Sequence, residues 1–536
     1  MKKFLFPFAC LLLSVCAGGQ NPYLPLWEFI PDGEPHVFED PDAPGKYRVY
    51  IYGSHDMLGD AYCCRDQVLW SASVDDVFRW RYDGVIFRSE RDAQGNLLHE
   101  DGSGDILYAP DVCEVRNPDG SKTYYFYPNV QDPQRSNLVA KADRPDGPFV
   151  PCNWSPKDPR RTEGILSFDP AVFVDDDGRV YAYWGFCRSY CAELDPTTMA
   201  TVKPGTRIIE DMIPAYTQDN TFRFFEASSM RKIADKYVFI YSRWTNHGEF
   251  GLPTSNYTLA YCYSNSPTGP WTYGGTIIDG RGRRTLPDGS TVATAVPFGN
   301  THGSICRIGD KWWVFYHRQA GESEYSRQAV VAPVNVEVVE GESGYVRISE
   351  AEFTSEGFAA DGLDPLQKYP AGIACHFTGP EPAVQEYPDV HYSGSHIGIL
   401  RNQWTEGTDP YALECNFCPV VHNTPGSVVG YKYFNFSRTF GGRGIRLDID
   451  CLPQAGGRID VYLDAPCEAE GGVKIGSLKM RAGRDGKIRA YRIRVPKLRH
   501  YNGKHSVYLT FSSTSAGESV CRLDNIGFSC THKGGL

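Results

Sequence analysis

The sequence predicts an all-β protein in which a five-bladed β-propeller is followed by a jelly-roll-like β-sandwich. Five stretches share one design: an ionisable residue, a strand, a polar turn and a second, aromatic-rich strand. The leading residues are Asp32, Asp111, Asp169, Glu226 and His302, at separations of 79, 58, 57 and 76 residues. Such recurrence is typical of propeller blades. Beyond residue 370, short alternating strands with glycine-rich turns indicate a sandwich instead.

Residues 1–19 have the layout of a secretory signal peptide. Two lysines precede an apolar run, and small residues follow it. Cleavage after Ala17 or Gly19 fits this pattern, and residues 13–16 (LSVC) resemble a lipoprotein box. We therefore expect an exported protein that is periplasmic, secreted or on the outer surface, with a lipoprotein as one alternative. No other stretch has the roughly 18 to 20 apolar residues of a membrane span.

The composition narrows the class of partner. The 536 residues include 54 Lys and Arg against 65 Asp and Glu, which gives a formal net charge of −11. That charge repels a phosphate backbone, so we expect no nucleic acid partner. Aromatic residues make up 13% of the chain, and their flat rings suit sugar faces, although aromatic strands in a β core explain most of them. We expect a monomer that binds an oligosaccharide or polysaccharide.

The hairpin predicted from Phe224 to Arg243 shows how the leading residues are placed. Glu226 heads its first strand, a polar turn follows, and an aromatic-rich strand returns. In a propeller the innermost strands of the blades run beside the central axis, so the residues that head them gather at one mouth of the channel. A lone glutamate is most often a solvated surface residue. Because the pattern recurs, we expect the five leading residues to share one pocket.

The blade pattern ends near residue 358, and glycine and proline mark a linker to about residue 370. We predict a catalytic propeller over residues 20–360 and a sandwich over residues 361–536. The sandwich has no obvious pair of acids, so a binding or structural role is expected for it. Its predicted strands lie at 427–436, 444–453, 457–466, 488–498, 505–513 and 521–529.

The cysteines give no clear metal motif. Of 17 cysteines, Cys10 and Cys16 lie in the signal segment, and the remaining 15 are an odd number, so at least one is unpaired. Cys415 and Cys418 have C-x-x-C spacing, but no second pair completes a zinc set. We therefore expect no zinc site there.

The five motifs, taken in order, resemble glycoside hydrolase family 43. They are PDGEP at Asp32, APDV at Asp111, FDPAVFVDDDGR at Asp169, FFEASS at Glu226 and HGS at His302. The resemblance covers roughly residues 21–357. It implies a five-bladed propeller that hydrolyses α-L-arabinofuranosides, β-D-xylosides and related sugars with inversion of configuration.

The resemblance also implies roles for the leading residues. Asp32 would be the general base, Glu226 the general acid, and Asp169 the carboxylate that orients the acid and raises its pKa. Inversion needs a protonated acid and an ionised base roughly 6.5 to 9.5 Å apart, and strands of different blades can supply that gap. Asp111 matches an acid of the family's second blade that is not among the three chemical carboxylates, and it is a candidate for substrate binding. His302 matches an axial histidine that in some members binds calcium or water, while the chemistry itself needs no cofactor.

Three further residues are candidates for substrate binding. Arg318 could hold ring hydroxyls, or could form an ion pair at a blade edge. Trp184 and Phe225 could form apolar walls, with core packing as the alternative. The C-terminal region, through motifs such as GYKYFNF and RIDVYLDAP, resembles a carbohydrate-binding module of family 6.

Two classes of function remain open at this point. One is an exo-acting glycoside hydrolase, ranked as α-L-arabinofuranosidase, then β-D-galactofuranosidase, then β-D-xylosidase, acting on plant-type polysaccharide. The other is a sugar-binding propeller without catalysis. The presence of all three acids favours the enzyme, but the choice of sugar depends on loop shapes that no periodicity reveals.

Overall fold

The computed structural model describes residues 14–16, 19–58, 61–217, 219–296, 299–320, 324–380, 398–399, 418–436 and 444–530. The prediction of an all-β protein is confirmed. Strands dominate these residues, and the helical elements among them are short 3₁₀ turns. The turns span Glu249–Gly251, Ala371–Ile373, Glu468–Glu470 and Pro496–His500.

The first and second sheets are antiparallel and are built from consecutive strands. The first sheet contains Ser14–Cys16 (β1), Glu34–Glu39 (β2), Tyr47–Tyr52 (β3), Gln67–Ser73 (β4) and Asp76–Phe87 (β5), in the order β1-β5-β4-β3-β2. The second contains Asp111–Arg116 (β6), Lys122–Tyr127 (β7), Ala140–Ala142 (β8) and Val150–Pro151 (β9). A small hairpin follows it, formed by Trp154–Ser155 (β10) and Asp158–Thr162 (β11).

The third, fourth and fifth sheets repeat the same meander. The third contains Ala171–Val174 (β12), Val180–Trp184 (β13), Tyr190–Leu194 (β14) and Ile209–Glu210 (β15). The fourth contains Phe224–Ile233 (β16), Lys236–Arg243 (β17), Thr258–Ser264 (β18) and Thr272–Asp279 (β19). After the hairpin of Arg283–Thr285 (β20) and Thr291–Ala293 (β21), the fifth contains Ser304–Ile308 (β22), Lys311–Gln319 (β23) and Arg327–Val334 (β24). Val336–Val339 (β25) and Tyr345–Ile348 (β26) form a last hairpin.

Hydrophobic clusters join each of the five sheets to the next, and the fifth to the first. Burial of apolar side chains between sheets is the main favourable term that holds such layers together. Residues that share a cluster across neighbouring sheets are Tyr52 with Phe126, Tyr127 with Val180, Tyr183 with Phe239, Ile240 with Val314, and Phe315 with Val49. The five sheets therefore follow one another in a ring.

One strand of each sheet faces the centre of this ring, and these strands are β2, β6, β12, β16 and β22. Strand β2 lies beside β6 and β22, and β12 lies beside β6 and β16. Ser229 on β16 and Ser304 on β22 share a hydrogen bond of 2.7 Å. Residues at the starts of these five strands are therefore neighbours in space, although they are far apart in the chain.

The C-terminal region forms two antiparallel sheets around one hydrophobic cluster. One sheet has the order β29-β30-β37-β32-β35, with β27 beside β37, and the other has the order β28-β31-β36-β33-β34. The strands are Tyr369–Pro370 (β27), His376–Thr378 (β28), Gly398–Ile399 (β29), Val420–Val421 (β30), Val428–Asn435 (β31), Ile445–Pro453 (β32), Gly457–Leu463 (β33), Val473–Met480 (β34), Arg489–Arg494 (β35), Lys504–Ser512 (β36) and Cys521–Cys530 (β37). All six strands predicted for this region are present.

The C-terminal sheets pack directly on the ring. Leu26, Phe29 and Ala320 of the ring belong to the C-terminal cluster. The buried guanidinium of Arg318 donates hydrogen bonds to the carbonyls of Gly372 and Ala374, the latter at 2.8 Å. Because these contacts are buried, the two parts of the chain share one interior at this boundary.

The predicted signal segment, residues 1–19, lies largely outside the described residues. Within it, β1 pairs with residues 79–81 at the edge of β5. Among the residues that the structure describes, no helix is long and apolar enough to cross a bilayer.

We predict that Arg318→Met lowers the free energy of unfolding by about 1–3 kcal/mol, because the carbonyls of Gly372 and Ala374 lose their donor in a buried place. Chemical denaturation of the full chain measures this. The matched control is Arg347→Met, since Arg347 is exposed and its ion pair with Glu337 should contribute less than about 1 kcal/mol. Equal stability of the two variants would contradict a structural role for the Arg318 contacts.

Candidate active site

Asp32 lies in a tight turn two residues before β2. Its φ of 59° is in the left-handed region, which aspartate tolerates better than most residues. The Ser54 hydroxyl, just after β3, donates to Oδ2 at 2.6 Å, and Arg327 Nη1 donates to Oδ1 at 3.0 Å. Each carboxylate oxygen accepts one hydrogen bond from the protein and keeps a second lone pair for a water molecule.

His317, on β23, fixes the backbone of Asp32. Burial lowers the pKa of His317 to about 3, so the ring is neutral. Its Nδ1 accepts from the Asp32 N–H at 3.3 Å, and its Nε2 donates to the carbonyl of Asn300 at 2.9 Å. The neutral imidazole therefore positions the turn without adding a charge.

Arg327, the first residue of β24, is the buried cation of the site. Its Nε and Nη2 donate to both oxygens of Asp56 at 2.8 and 2.9 Å, and its guanidinium lies 4.7 Å from the ring centre of Tyr62. Burial raises the pKa of Asp32, but the charge of Arg327 and the Ser54 hydrogen bond outweigh it and lower that pKa overall. Asp32 is therefore ionised at neutral pH.

Asp169 lies in a similar turn, with a φ of 44°, two residues before β12. Its Oδ1 accepts from Asn129 Nδ2 at 2.9 Å, and its Oδ2 accepts from the Ala227 N–H at 3.1 Å. The second contact ties it to the residue that follows Glu226. Burial and the negative charge of Asp32 raise the pKa of Asp169 above its usual range, and the hydrogen bonds from Ala227 and Asn129 oppose that shift.

Glu226 lies on β16 between two irregularities in its pairing with β17. Burial raises its pKa well above the usual range, and the charges of Asp169 and Asp32 add to this shift. Asp169 accepts two N–H hydrogen bonds, which stabilise its ionised form. The proton that the two carboxyls compete for therefore resides on Glu226.

The three carboxyls thus have different tasks: Asp32 is ionised, Glu226 is protonated, and Asp169 raises the pKa of Glu226. Asp32 carries the charge, and Glu226 carries the proton. Two carboxyls whose environments push their pKa values apart are what general acid and general base chemistry at one bond requires.

The other residues predicted for the site occupy varied positions. Asp111, the first residue of β6, accepts from the Val172 N–H at 2.8 Å and contacts His36 Nε2 at 2.9 Å, so its oxygens join neighbouring strands. His302 Nδ1 lies 3.7 Å from Asp169 Oδ2. Trp184 is buried in the cluster between the second and third sheets and stacks on Tyr190. Its position corresponds to core packing, the alternative to a wall of the sugar pocket.

Arg318 does not lie with the carboxylates. Its guanidinium contacts Gln328 and the C-terminal carbonyls, so the arginine predicted to face the sugar is instead part of the boundary with the C-terminal sheets. Arg327 is the arginine that reaches Asp32. The motifs do not identify Arg327, Ser54, Asn129 or His317. The only local signal is GSHD after β3, where a hydroxyl and an acid follow a strand end.

A partly exposed set of aromatic rings lies beside Glu226. Phe225 is half-buried, and Phe186 is 50% exposed. The two ring centroids are 5.1 Å apart, and Phe168 lies 4.9 Å from Phe186. The Cys187 N–H donates to the Phe225 carbonyl at 2.7 Å, which ties the two segments together. This set, Phe168, Phe186 and Phe225, is called the aromatic rim below.

The axis of the ring contains two buried acceptors. Within the described residues, His302 Nε2 and Glu34 Oε1 are buried and have no hydrogen-bond partner. Arg231 Nη2 donates to the other oxygen of Glu34 at 2.7 Å. A histidine whose Nδ1–H faces Asp169 presents a lone pair at Nε2, so both atoms fit a cation or a water molecule held on the axis.

Comparison with known proteins gives consistent matches. The model of glycosyl hydrolases family 43 matches residues 37–337. A xylosidase/arabinosidase of Thermoclostridium stercorarium is 37% identical over 439 residues, which cover 77% of this chain and 82% of that protein. An arabinoxylan arabinofuranohydrolase of Paenibacillus polymyxa is 24% identical over 526 residues, covering 94% and 72%. Among solved structures, a family 43 arabinoxylan arabinofuranohydrolase from Bacillus subtilis in complex with cellotetraose superposes with a TM-score of 0.43 at 20% identity, covering 95% and 97% of the two chains.

We predict that Asp169→Asn moves the alkaline limb of the kcat/KM profile to lower pH. Loss of the neighbouring negative charge lets Glu226 release its proton more easily. The acid limb, which reports Asp32, should move less. A pH profile on a natural oligosaccharide measures both limbs, and an alkaline limb that stays in place would contradict the role given to Asp169.

Proposed function

The chain belongs to glycosyl hydrolases family 43 and hydrolyses O-glycosyl bonds, and we propose that it is an exo-acting, inverting α-L-arabinofuranosidase of plant-type oligosaccharides and polysaccharides. The observation that carries this proposal is that Arg327 and Ser54 donate to Asp32, whereas Glu226 is buried beside Asp169 and Asp32, so the pKa values of Asp32 and Glu226 shift in opposite directions. Relatives named xylosidase/arabinosidase and arabinoxylan arabinofuranohydrolase support the class of sugar. β-D-Galactofuranosidase and β-D-xylosidase activities are the alternatives. A sugar-binding propeller without catalysis is not supported, because the chain belongs to an enzyme family and keeps all three acids.

Each carboxyl has one task in the proposed reaction. Glu226 donates its proton to the glycosidic oxygen as the bond to the leaving group breaks. Asp32 accepts a proton from a water molecule that attacks the anomeric carbon from the opposite face, so the configuration inverts. Asp169 keeps Glu226 protonated until the substrate arrives, and its contact with Ala227 orients the neighbouring backbone.

Arg327 and Ser54 prepare Asp32 as the base. Their donors hold one lone pair of each oxygen, which fixes the carboxylate plane before water binds. Arg327 is itself anchored by both oxygens of Asp56, so it cannot follow Asp32 if that side chain moves. A prearranged base avoids reorganisation during the reaction, which is the main electrostatic advantage of a buried site.

The aromatic rim is the proposed contact for the sugar chain on the leaving side. Its rings neighbour the proposed acid, and the apolar faces of pyranose or furanose rings pack on such surfaces. In this proposal Phe225 forms an apolar wall of the sugar pocket. Asp111 and His302 lie near the axis of the ring and support neighbouring residues.

We further propose that the ring of five sheets is a five-bladed propeller and that the C-terminal sheets form a jelly-roll-like sandwich similar to a family 6 carbohydrate-binding module. The proposed boundary lies at residue 360. Residues 1–19 remain the proposed signal for export, with a lipoprotein as the alternative, and a monomer is the proposed state in solution.

A calcium ion on the ring axis is a proposal supported by the two buried acceptors. Calcium prefers oxygen ligands, so Glu34 Oε1 would contact it directly and His302 Nε2 would do so through water. Such an ion would supply positive charge at the floor of the pocket. No step of the proposed reaction passes through it.

A panel of aryl glycosides tests the function. The expected result is the highest kcat/KM on α-L-arabinofuranoside, with lower values on β-D-galactofuranoside and β-D-xyloside. Proton NMR of the first sugar released should show the inverted anomer. A preference for the xyloside would select the alternative activity, and a retained anomer would contradict the roles of Asp32 and Glu226.

We predict that Glu226→Gln lowers kcat/KM on a natural arabino-oligosaccharide by about 10²–10⁴-fold, as expected for loss of a general acid. The loss should be smaller on an activated aryl glycoside, because that leaving group needs little protonation. Asp32→Asn should lower both activities equally, because water must be activated in either case.

The matched control for these variants is Glu193→Gln. Glu193 lies on β14 and pairs with Lys203, away from the carboxylates. It should keep the activity of the unchanged enzyme. A folded Glu226→Gln protein that loses equal activity on both substrates would contradict its role as the acid.

A further inference from the structure

A second cluster of reactive side chains lies behind the segment that positions Asp32. His55 Nδ1 is 2.8 Å from Asp66 Oδ1, and Cys64 Sγ is 3.0 Å from the same oxygen. The three donor atoms lie within 4.8 Å of one another. His55 and Cys64 are buried, and Asp66 is half-buried. The proposed reaction uses none of them.

The surroundings of the cluster fix which nitrogen of His55 is available. His55 Nε2 lies 3.1 Å from Glu28 Oε1, and the other oxygen of Glu28 accepts from the indole N–H of Trp70 at 2.8 Å. A histidine that donates one N–H to a carboxylate presents its other nitrogen to a metal, and metal sites in proteins use this arrangement repeatedly. Here the nitrogen so presented is Nδ1, which faces Asp66 and Cys64.

The cluster also opens onto free space. Cys64, His55 and Asp66 line a cavity of about 470 Å³, together with residues such as Met57 and Arg88. A metal bound by three protein atoms needs room for a fourth, non-protein ligand such as water. The cavity offers that position, whereas a cluster closed on all sides would not.

We propose that His55 Nδ1, Cys64 Sγ and Asp66 Oδ1 form a binding site for a divalent transition ion of the zinc class. A thiolate, an imidazole and one carboxylate oxygen are the donor set that zinc accepts in tetrahedral sites. Bonds of about 2.0–2.3 Å hold such ligands roughly 3.3–3.8 Å apart. The present distances of 2.8 and 3.0 Å need to widen by only about half an ångström. The protons of Sγ and Nδ1 leave to solvent on binding.

Residues 54–56 connect the proposed metal site to Asp32, the proposed base, because alternate residues of this segment face the two sites. Ser54 donates to Asp32, and Asp56 holds Arg327, while His55 between them faces the cluster. Cys63 in turn lies 3.6 Å from Arg327 Nη2, while Cys64 faces the cluster. An ion at the cluster therefore clamps the backbone that carries the supports of Asp32.

Cobalt(II) is the probe for the first test, because a thiolate bound to it gives a charge-transfer band in the near ultraviolet. Titration of the full-length protein with Co²⁺ should produce this band at one equivalent, and Zn²⁺ should abolish it by displacement. Cys64→Ser should remove the band, and Asp66→Asn should weaken binding at least tenfold. The matched control is Cys467→Ser, which changes another free, partly buried thiol and should leave the band unchanged.

The outcomes separate cleanly. Absence of the band in the unchanged protein, or its persistence in Cys64→Ser, would overturn the proposal. Zn²⁺ should also raise the melting temperature of the unchanged protein and of Cys467→Ser, but not that of Cys64→Ser. Equal rises in all three would mean that the ion binds elsewhere, and the proposal would fail.

A second measurement needs no variant and so does not depend on the folding of Cys64→Ser. Alkylation of the unchanged protein by iodoacetamide is followed by mass spectrometry of the peptides. Zn²⁺ at one equivalent should slow the labelling of Cys64 at least tenfold and leave that of Cys467 unchanged. Equal labelling of Cys64 with and without Zn²⁺ would overturn the site.

Discussion

The contact between Asp32 and the buried guanidinium of Arg327 is the interaction on which the site depends. Both oxygens of Asp56 accept from Nε and Nη2 of Arg327, and its Nη1 donates to Asp32. One buried cation thus serves two carboxylates, and ionising Glu226 as well would place another buried negative charge beside Asp169 and Asp32. Burial penalises unpaired charge strongly, which is why the pKa of Glu226 rises while that of Asp32 falls.

The ring of sheets brings the three carboxyls together, although they are far apart in the sequence. Asp32 and Asp169 lie in left-handed turns just ahead of β2 and β12, whereas Glu226 lies inside β16 where its pairing is irregular. These backbone conformations differ, but each of them places its carboxyl side chain at the same end of the ring. Hydrogen bonds between sheets, such as that from Ala227 to Asp169, then fix their mutual positions. The packing between sheets therefore sets the distances between the three carboxyls, and through them the shifts in their pKa values.

Sequence reasoning was effective where the signal is periodic. The hairpins, the order of the leading acids and the six C-terminal strands follow from alternation and turn residues. It named Arg318 and did not identify Arg327, because telling them apart depends on the register between β23 and β24. Arg318 pairs with Gln328, and Gln319 pairs with Arg327. Successive residues of a strand point to opposite faces, so these two adjacent pairs face opposite sides of the sheet. Arg318 therefore faces the C-terminal sheets and Arg327 faces the carboxylates, and no sequence motif encodes this register.

The two arginines also explain why the ring and the C-terminal sheets are coupled. Arg318 on β23 donates to the Ala374 carbonyl just after the 3₁₀ turn Ala371–Ile373, while Arg327 on the neighbouring strand β24 supports Asp32. Gln328 accepts from Arg318 and donates to the Leu26 carbonyl at 2.6 Å, close in sequence to the turn of Asp32. A displacement of the C-terminal sheets would therefore release Arg318 and loosen the pair of strands that carries Arg327. We therefore expect the C-terminal sheets to influence the proposed base through this one hairpin, since among the described residues the hydrogen bonds to Asp32 and Asp169 come from the ring of sheets.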